Sequence, residues 1–125
     1  MSSKSLVCEK SLKFAIRVVK AFQYLSAEKK EYYLSRQLLR AGTNPGSMVR
    51  EALNAESSKD FIHKLSIAQK EIGETIYWLD LLEAAQYLDP IQAQSLRKDA
   101  EEILKMLTSI IKTTKKKLSA PPTNN

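Results

Sequence analysis

The only histidine of the chain, His63, follows two carboxylates at helical spacing. Glu56 and Asp60 precede it by seven and three residues, so the three side chains would share one face of a helix. A carboxylate and a histidine three residues apart form the metal-binding pair of di-iron helical bundles. Such a centre needs this pair twice, and the sequence has it once. We therefore predict no metal site and interpret the three residues as the solvated or salt-bridged start of a helix.

Two rows of polar residues could face each other across neighbouring helices. They are Arg40, Asn44, Ser47 and Glu51 in one segment and Asp60, Lys64, Glu71 and Glu74 in the next. Paired carboxylates can act as general acid and base, but the arginine and lysine would neutralise them more simply. We interpret the rows as a layer of salt bridges that sets the helix register. No serine has a histidine base at a recognisable spacing, so we predict no catalytic residue and no enzyme.

The spacing of apolar residues predicts four helices, at about 4–28, 30–55, 58–87 and 90–117. Asp89 followed by Pro90 is a typical helix start. The connections are short, so consecutive helices should be antiparallel neighbours. The predicted fold is all-α, an antiparallel up-down-up-down four-helix bundle formed by one domain at 1–118, followed by a flexible C-terminal tail at 119–125.

The apolar residues of each segment predict the side of the helix that faces the core. In the first segment the predicted face is Leu12, Ala15, Ile16, Val19 and Phe22, widened by Val18 and Leu25. The main stripes of the last two segments are Phe61, Leu65, Ala68, Ile72, Leu79 and Leu82 in the third and Leu96, Ala100, Ile103, Leu107 and Ile110 in the fourth. Both segments carry more apolar residues than a single bundle needs. Those outside the main stripes are scattered surface residues or form an interface with other subunits. The predicted interface residues are Tyr77, Trp78, Leu81, Leu104 and Ile111.

The second segment contains the run Gly42-Thr-Asn-Pro-Gly46. Pro45 removes a backbone hydrogen bond, and each glycine weakens a helix by about 1 kcal/mol relative to alanine. The second helix should therefore be kinked or broken there. The small residues serve either close approach of a neighbouring helix or a backbone site for a ligand. The run lacks the lysine and the preceding strand of a phosphate-binding loop, which excludes nucleotide binding of that kind.

Charge is distributed unevenly along the chain. Residues 1–50 have a net charge of +7, residues 51–102 of −6 and residues 103–125 of +5. In the predicted bundle, the start of the first helix, the end of the fourth and the junction between the second and third meet at one end. We name this end the basic pole; its residues are Lys4, Lys10, Lys13, Arg50, Lys59, Lys112, Lys115, Lys116 and Lys117. Such a surface is either a solvated lysine-rich end or a contact site for nucleic-acid phosphates.

Composition limits the remaining classes. The single cysteine, Cys8, excludes an internal disulfide and a cysteine-based zinc site. The sequence has no signal peptide and no apolar run of the length that spans a membrane. We expect a cytoplasmic protein without a cofactor, a small-molecule substrate or a membrane partner.

The segment from Ser35 to Leu82 carries a family resemblance. Its motifs are SRQLLRA (35–41), the glycine-proline run, Glu51-Ala52, SKDFIHKL (58–65) and Glu71-x-x-Glu74-x-x-x-Trp78-Leu79. They resemble the four helix bundle protein family named after proteins encoded by intervening sequences in bacterial 23S rRNA genes. They are also similar to the accessory variability determinant protein of diversity-generating retroelements.

The resemblance extends over nearly the whole chain, and its implications concern assembly and partners. It implies a four-helix protomer that assembles into a cyclic homopentamer. It also implies that some members of the family bind RNA or a reverse transcriptase through a basic surface, so RNA or a nucleoprotein is a predicted partner. It supplies no catalytic residue. The alternative prediction is a structural adaptor that binds a protein partner through apolar helix faces without nucleic acid.

Overall fold

The predicted up-down-up-down bundle is confirmed. The structure, a computed structural model, describes residues 2–120, and the part of the predicted tail at 121–125 lies outside them. Each helix packs against the next one in the chain, and the fourth packs back against the first. The helices are α1 (Ser3–Ala27), α2 (Leu34–Leu53), α3 (Ser58–Ala84) and α4 (Pro90–Ser119).

Two helix boundaries differ from the prediction because the chain reverses within the connections. Residue Lys30 has a left-handed backbone, with φ of 56°, and α2 begins only at Leu34. Residue Gln86 is also left-handed, with φ of 68°, and α3 ends at Ala84 rather than near Tyr87. The start of α4 follows the prediction: the carboxylate of the preceding aspartate accepts a hydrogen bond from the backbone of the first turn.

The core confirms the predicted stripes of α3 and α4. Every residue of both stripes is buried: Phe61, Leu65, Ala68, Ile72, Leu79 and Leu82 on α3, and Leu96, Ala100, Ile103, Leu107 and Ile110 on α4. These two helices therefore present regular apolar faces to the inside of the bundle.

The predicted inner face of α1 is wrong in part: Val18 and Leu25 are buried as predicted, but three residues of the main row are exposed. Leu12, Ile16 and Val19 are 48%, 49% and 38% exposed, and we call them the outer α1 row. The buried residues of α1 include Phe14 and Val18 and lie about 130° away around the helix. Both rows recur at helical spacing, so periodicity alone does not identify the one that faces the core. A single chain thus leaves a regular apolar row without a neighbour.

Helix α2 continues through the glycine-proline run, so the predicted break does not occur as an interruption. Pro45 is buried within the helix. The small residues let α2 pack closely against α1: a Cβ added at Gly42 would lie 2.7 Å from a methyl carbon of Val18. Of the two interpretations of the small residues, close approach of the neighbouring helix is the one the structure supports.

Candidate nucleic-acid and subunit interfaces

The basic pole forms where the starts of α1 and α3 meet the ends of α2 and α4. The Nζ of Lys4 lies 4.7 Å from the ring centre of Phe61, which joins α1 to α3. A cleft of about 550 Å³ is bordered by Lys4, Ser58 and Lys117, from α1, α3 and α4. The topology therefore brings together lysines that are more than a hundred residues apart in the chain.

Two predicted members of the basic pole, Lys10 and Lys13, form ion pairs with carboxylates. The Nζ of Lys10 lies 2.7 Å from Glu102 on α4, and the Nζ of Lys13 lies 3.1 Å from Glu9 on the preceding turn. The hydrogen bond and charge of Glu102 raise the pKa of Lys10. Both lysines lie along the side of α1 rather than at its end, so we correct the prediction that they contribute free charge to the pole.

The other members of the basic pole are exposed. None of them has a carboxylate within ion-pair distance among residues 2–120; they are Lys4, Arg50, Lys59, Lys112, Lys115, Lys116 and Lys117. Lys116 and Lys117 lie in the last turn of α4 and Arg50 in the last turn of α2, where a positive charge suits the helix dipole. Two carboxylates, Glu56 and Asp60, lie near this end and reduce its charge without removing it.

The predicted polar layer forms along the edge between α2 and α3. Arg40 contacts Glu74 at 3.2 Å, and the Asn44 amide donates a hydrogen bond to Glu71 at 2.6 Å. A third contact joins Lys64 and Glu51 at 3.3 Å. These side chains are largely half-exposed rather than buried. They connect the two helices in a fixed register.

Two arginines that sequence patterns did not single out join α4 to its neighbours. Arg17 on α1 contacts Asp99 at 2.6 Å. Arg97 contacts both Asp80 and Glu83 of α3, at 2.8 and 2.6 Å. The hydrogen bond that the Arg97 guanidinium donates to Glu83 raises the pKa of Arg97. Pairs between helices far apart in sequence have no local signal, so only the fold reveals them.

The predicted interface residues on α3 and α4 differ in their exposure. Tyr77 is 57% exposed, and its ring packs edge-on against Trp78 with the ring centres 5.1 Å apart. Trp78, Leu81 and Leu104 are half-buried. Ile111 is only 7% exposed because it packs in the core of its own chain. We therefore remove Ile111 from the predicted interface and add the outer α1 row.

The remaining kinds of site to consider are metal sites and membrane-spanning helices. His63 and Glu56 are exposed. Within residues 2–120 no group of three or more histidine, cysteine, aspartate or glutamate side chains could hold a metal ion. Over the same range, no helix combines the length and the apolar character that crossing a bilayer requires.

Fold and surface together define a small all-helical bundle with a basic end and unpartnered apolar rows. The family model described as 23S rRNA-intervening sequence protein matches residues 3–109. The chain therefore belongs to the family of 23S rRNA-intervening sequence proteins, as the resemblance of its motifs predicted.

Comparison with solved structures agrees with this assignment. A crystal structure at 1.70 Å of a protein with unknown function from the S23 ribosomal protein family of Bacteroides thetaiotaomicron VPI-5482 is similar, with a TM-score of 0.88. The two sequences are 47% identical, and the match covers 89% of this chain and 99% of the other. No curated protein matches this chain.

Proposed function

We propose that this protein is a non-enzymatic, homo-oligomeric helical bundle that binds nucleic acid or a nucleoprotein through its basic pole. The observation that supports the proposal is the set of exposed cations at one end of the bundle that have no carboxylate partner within residues 2–120. Unpaired lysines attract phosphates and release bound counterions on contact. The name of the family refers to an intervening sequence in 23S rRNA, so RNA is the first nucleic acid to test.

Reversing the charge of the α4 end tests this proposal. The variant carries Lys112→Glu, Lys115→Glu, Lys116→Glu and Lys117→Glu. We expect it to lose binding to a structured RNA at 50 mM salt, measured by fluorescence anisotropy, because repulsion replaces the contacts with phosphates. The four side chains are exposed, so the helical circular-dichroism signal should be unchanged.

The matched control makes the same change of net charge elsewhere on the bundle. It carries Lys20→Glu, Lys29→Glu, Arg36→Glu and Lys70→Glu, at positions outside the basic pole. We expect this control to retain most of the binding. Equal loss in both variants would mean that only the net charge matters, and unchanged binding by the first variant would exclude the basic pole as the contact surface.

Two apolar surfaces support the homo-oligomeric part of the proposal. The outer α1 row and the strip formed by Tyr77, Trp78 and Leu81 lie on α1 and α3, which are diagonal in the bundle because each packs against α2 and α4. A contact between two different surfaces gives a ring when its rotation closes and an open filament when it does not, whereas a single self-complementary surface gives a two-fold dimer. The resemblance suggests a ring of five.

Charged substitutions in the outer α1 row test this assembly. We expect Leu12→Glu with Ile16→Glu to produce a 14.2 kDa monomer by light scattering, because the interface would bury both carboxylates without partners. The control Ile91→Glu changes an 82% exposed residue outside both strips and should leave the wild-type mass unchanged. A wild-type monomer, or a variant of wild-type mass, would contradict the proposal.

Mixing two monomeric variants distinguishes a ring contact from a two-fold contact. The Leu12→Glu, Ile16→Glu protein retains the α3 strip, and a Tyr77→Glu protein retains the outer α1 row. If the two surfaces meet each other, the mixture should form a dimer that neither variant forms alone. If each surface meets its own copy, the Tyr77→Glu protein alone should still pair through the outer α1 row.

The alternative function is a structural adaptor that binds a protein partner through the same apolar rows, without nucleic acid. The exposure of the outer α1 row favours it. Purification without nuclease separates the two: a high ratio of absorbance at 260 to 280 nm supports nucleic-acid binding, and a protein-like ratio supports the adaptor.

A further inference from the structure

Four lysines follow the outside of α4 in a single row. Lys98, Lys105, Lys112 and Lys116 are separated by seven, seven and four residues, so they recur on one side of the helix. All four are exposed, whereas the apolar stripe of α4 faces the core. At 1.5 Å per residue the row is about 27 Å long. It begins well outside the basic pole and ends within it.

The carboxylates nearest to this row are mostly held elsewhere. Asp99 pairs with Arg17, and Glu102 pairs with Lys10, both on α1. Glu101 is the remaining carboxylate in this part of α4; it is exposed and pairs with no lysine within 4.0 Å. Asp99 and Glu102 are thus neutralised on the side of α4 that faces α1, and the outer side of α4 keeps a net positive charge.

The shape and composition of the strip indicate the form of the partner. An uninterrupted helix holds the lysines in a nearly straight line, which suits a rod-like polyanion better than a compact phosphate ligand. Helix α4 contains no aromatic residue, so it offers no surface on which unpaired bases could stack. The lysines can contact phosphates in a duplex, where the bases are already stacked on one another.

We propose that the lysine row of α4 binds the phosphate backbone of a double-helical nucleic acid along its length. A row of this length covers about eight base pairs of a B-form duplex. The inference rests on the proposed nucleic-acid binding and adds the shape of the ligand and its path, from the basic pole along α4. RNA and DNA duplexes present the same phosphates, so the two are compared directly in the test.

Neutralising the two lysines outside the basic pole tests the row. A Lys98→Gln, Lys105→Gln variant is titrated with 20-base-pair RNA and DNA duplexes and with single-stranded RNA, at several salt concentrations. We expect the slope of log K against log salt to fall by about two for the better-bound duplex, because each lysine releases about one counterion. The affinity at 0.1 M salt should fall on the order of tenfold or more.

A control of equal charge identifies the cause of any loss. The Arg36→Gln, Lys70→Gln variant removes two exposed cations of α2 and α3 that form no ion pair within residues 2–120, and it should change the slope by less than half a unit. The inference is supported if only the α4 variant weakens duplex binding. It is overturned if both variants behave alike, or if single-stranded RNA binds more tightly than either duplex.

The outcome also separates this inference from the proposed function. If the Lys98→Gln, Lys105→Gln variant binds like the wild type while charge reversal at the basic pole abolishes binding, the pole stands and the α4 row is excluded. If the wild type binds no duplex and no single strand, both are wrong. Thermal unfolding of each variant checks that the fold is retained.

Discussion

The Gly42→Ala substitution should destabilise the bundle by about 2 kcal/mol, although alanine is the better helix former by about 1 kcal/mol. The added Cβ would lie 2.7 and 2.8 Å from the two methyl carbons of Val18 and 3.2 Å from its Cβ. Val18 is fully buried, and valine in a helix has one strongly preferred rotamer, so rotation relieves little. Overpacking of this kind costs about 1–3 kcal/mol or more.

The neighbouring glycine provides the matched control. A Cβ at Gly46 would meet the backbone oxygen of Ser11 at 3.5 Å, which is an ordinary contact. Gly46→Ala should therefore keep the gain in helix propensity and stabilise the protein by about 0.5–1 kcal/mol. The two substitutions make the same chemical change one helical turn apart and have opposite expected signs.

Thermal unfolding at one protein concentration measures both effects. For a chain of this size, we expect a shift of roughly 4 °C per kcal/mol. A Val18→Ala substitution should relieve the clash, so the double variant with Gly42→Ala should lose less stability than the two single losses combined. If Gly42→Ala is as stable as Gly46→Ala, the close approach of α1 and α2 does not constrain position 42.

Local and distant contributions to helix α2 explain the difference between prediction and structure there. The glycines and Pro45 have poor helix propensity, and the sequence accordingly predicts a kink or a break. Pro45 still costs free energy within the helix, but the burial of the small residues against α1 offsets that cost. Helix propensity depends on the local sequence, whereas packing depends on residues that are distant in sequence. The glycine-proline run therefore indicated an unusual position without indicating its conformation.

The apolar residues of α1 illustrate a second limit. The buried row around Phe14 and the outer row around Ile16 have the same spacing and similar hydrophobicity. The choice between them depends on which side the neighbouring helices occupy. The α3 and α4 stripes were predicted correctly even though other apolar residues lie beside them on both helices. The sequence predicts an additional apolar surface on α3 and α4, and the structure also exposes the outer α1 row.

The basic pole was predictable because it requires only the order and direction of the helices. Lys10 was included wrongly, since its partner Glu102 lies on a helix that is distant in sequence. Lys98 was missed because acidic neighbours at 99, 101 and 102 hide it in a segment of negative net charge, and Lys105 was missed because it lies next to these acids, away from the end of α4. The fold separates these signs by pairing Asp99 with α1.

Removing the carboxylate of Glu31 should cost about 2–4 kcal/mol, the other large effect we expect on stability. Glu31 is 8% exposed, and its two oxygens accept hydrogen bonds from the backbone N–H groups of Tyr33, at 3.1 Å, and Ser35, at 2.7 Å. The Ser35 hydroxyl in turn donates to the Glu31 carbonyl at 2.8 Å. Helix α2 has no capping side chain at its N-cap residue, so this carboxylate supplies the cap.

The expected cost follows from the donors left behind. In Glu31→Ala the amide of Ser35 would be buried without a partner, at about 1–3 kcal/mol, and the favourable charge at the N-terminus of α2 would be lost. Glu31→Gln keeps one acceptor oxygen but turns an amide donor toward a backbone donor, so we expect roughly half of that loss. Urea unfolding, with the midpoint and slope fitted separately, gives the free energies.

The control for Glu31 is Glu28, an exposed carboxylate in the same connection whose side chain makes no hydrogen bond within residues 2–120. Glu28→Ala removes the same charge and should change stability by less than about 0.5 kcal/mol. A loss shared by both alanine variants would assign the effect to net charge. A loss confined to Glu31, and halved by glutamine, would assign it to the capped amides, because only those hydrogen bonds distinguish the two positions.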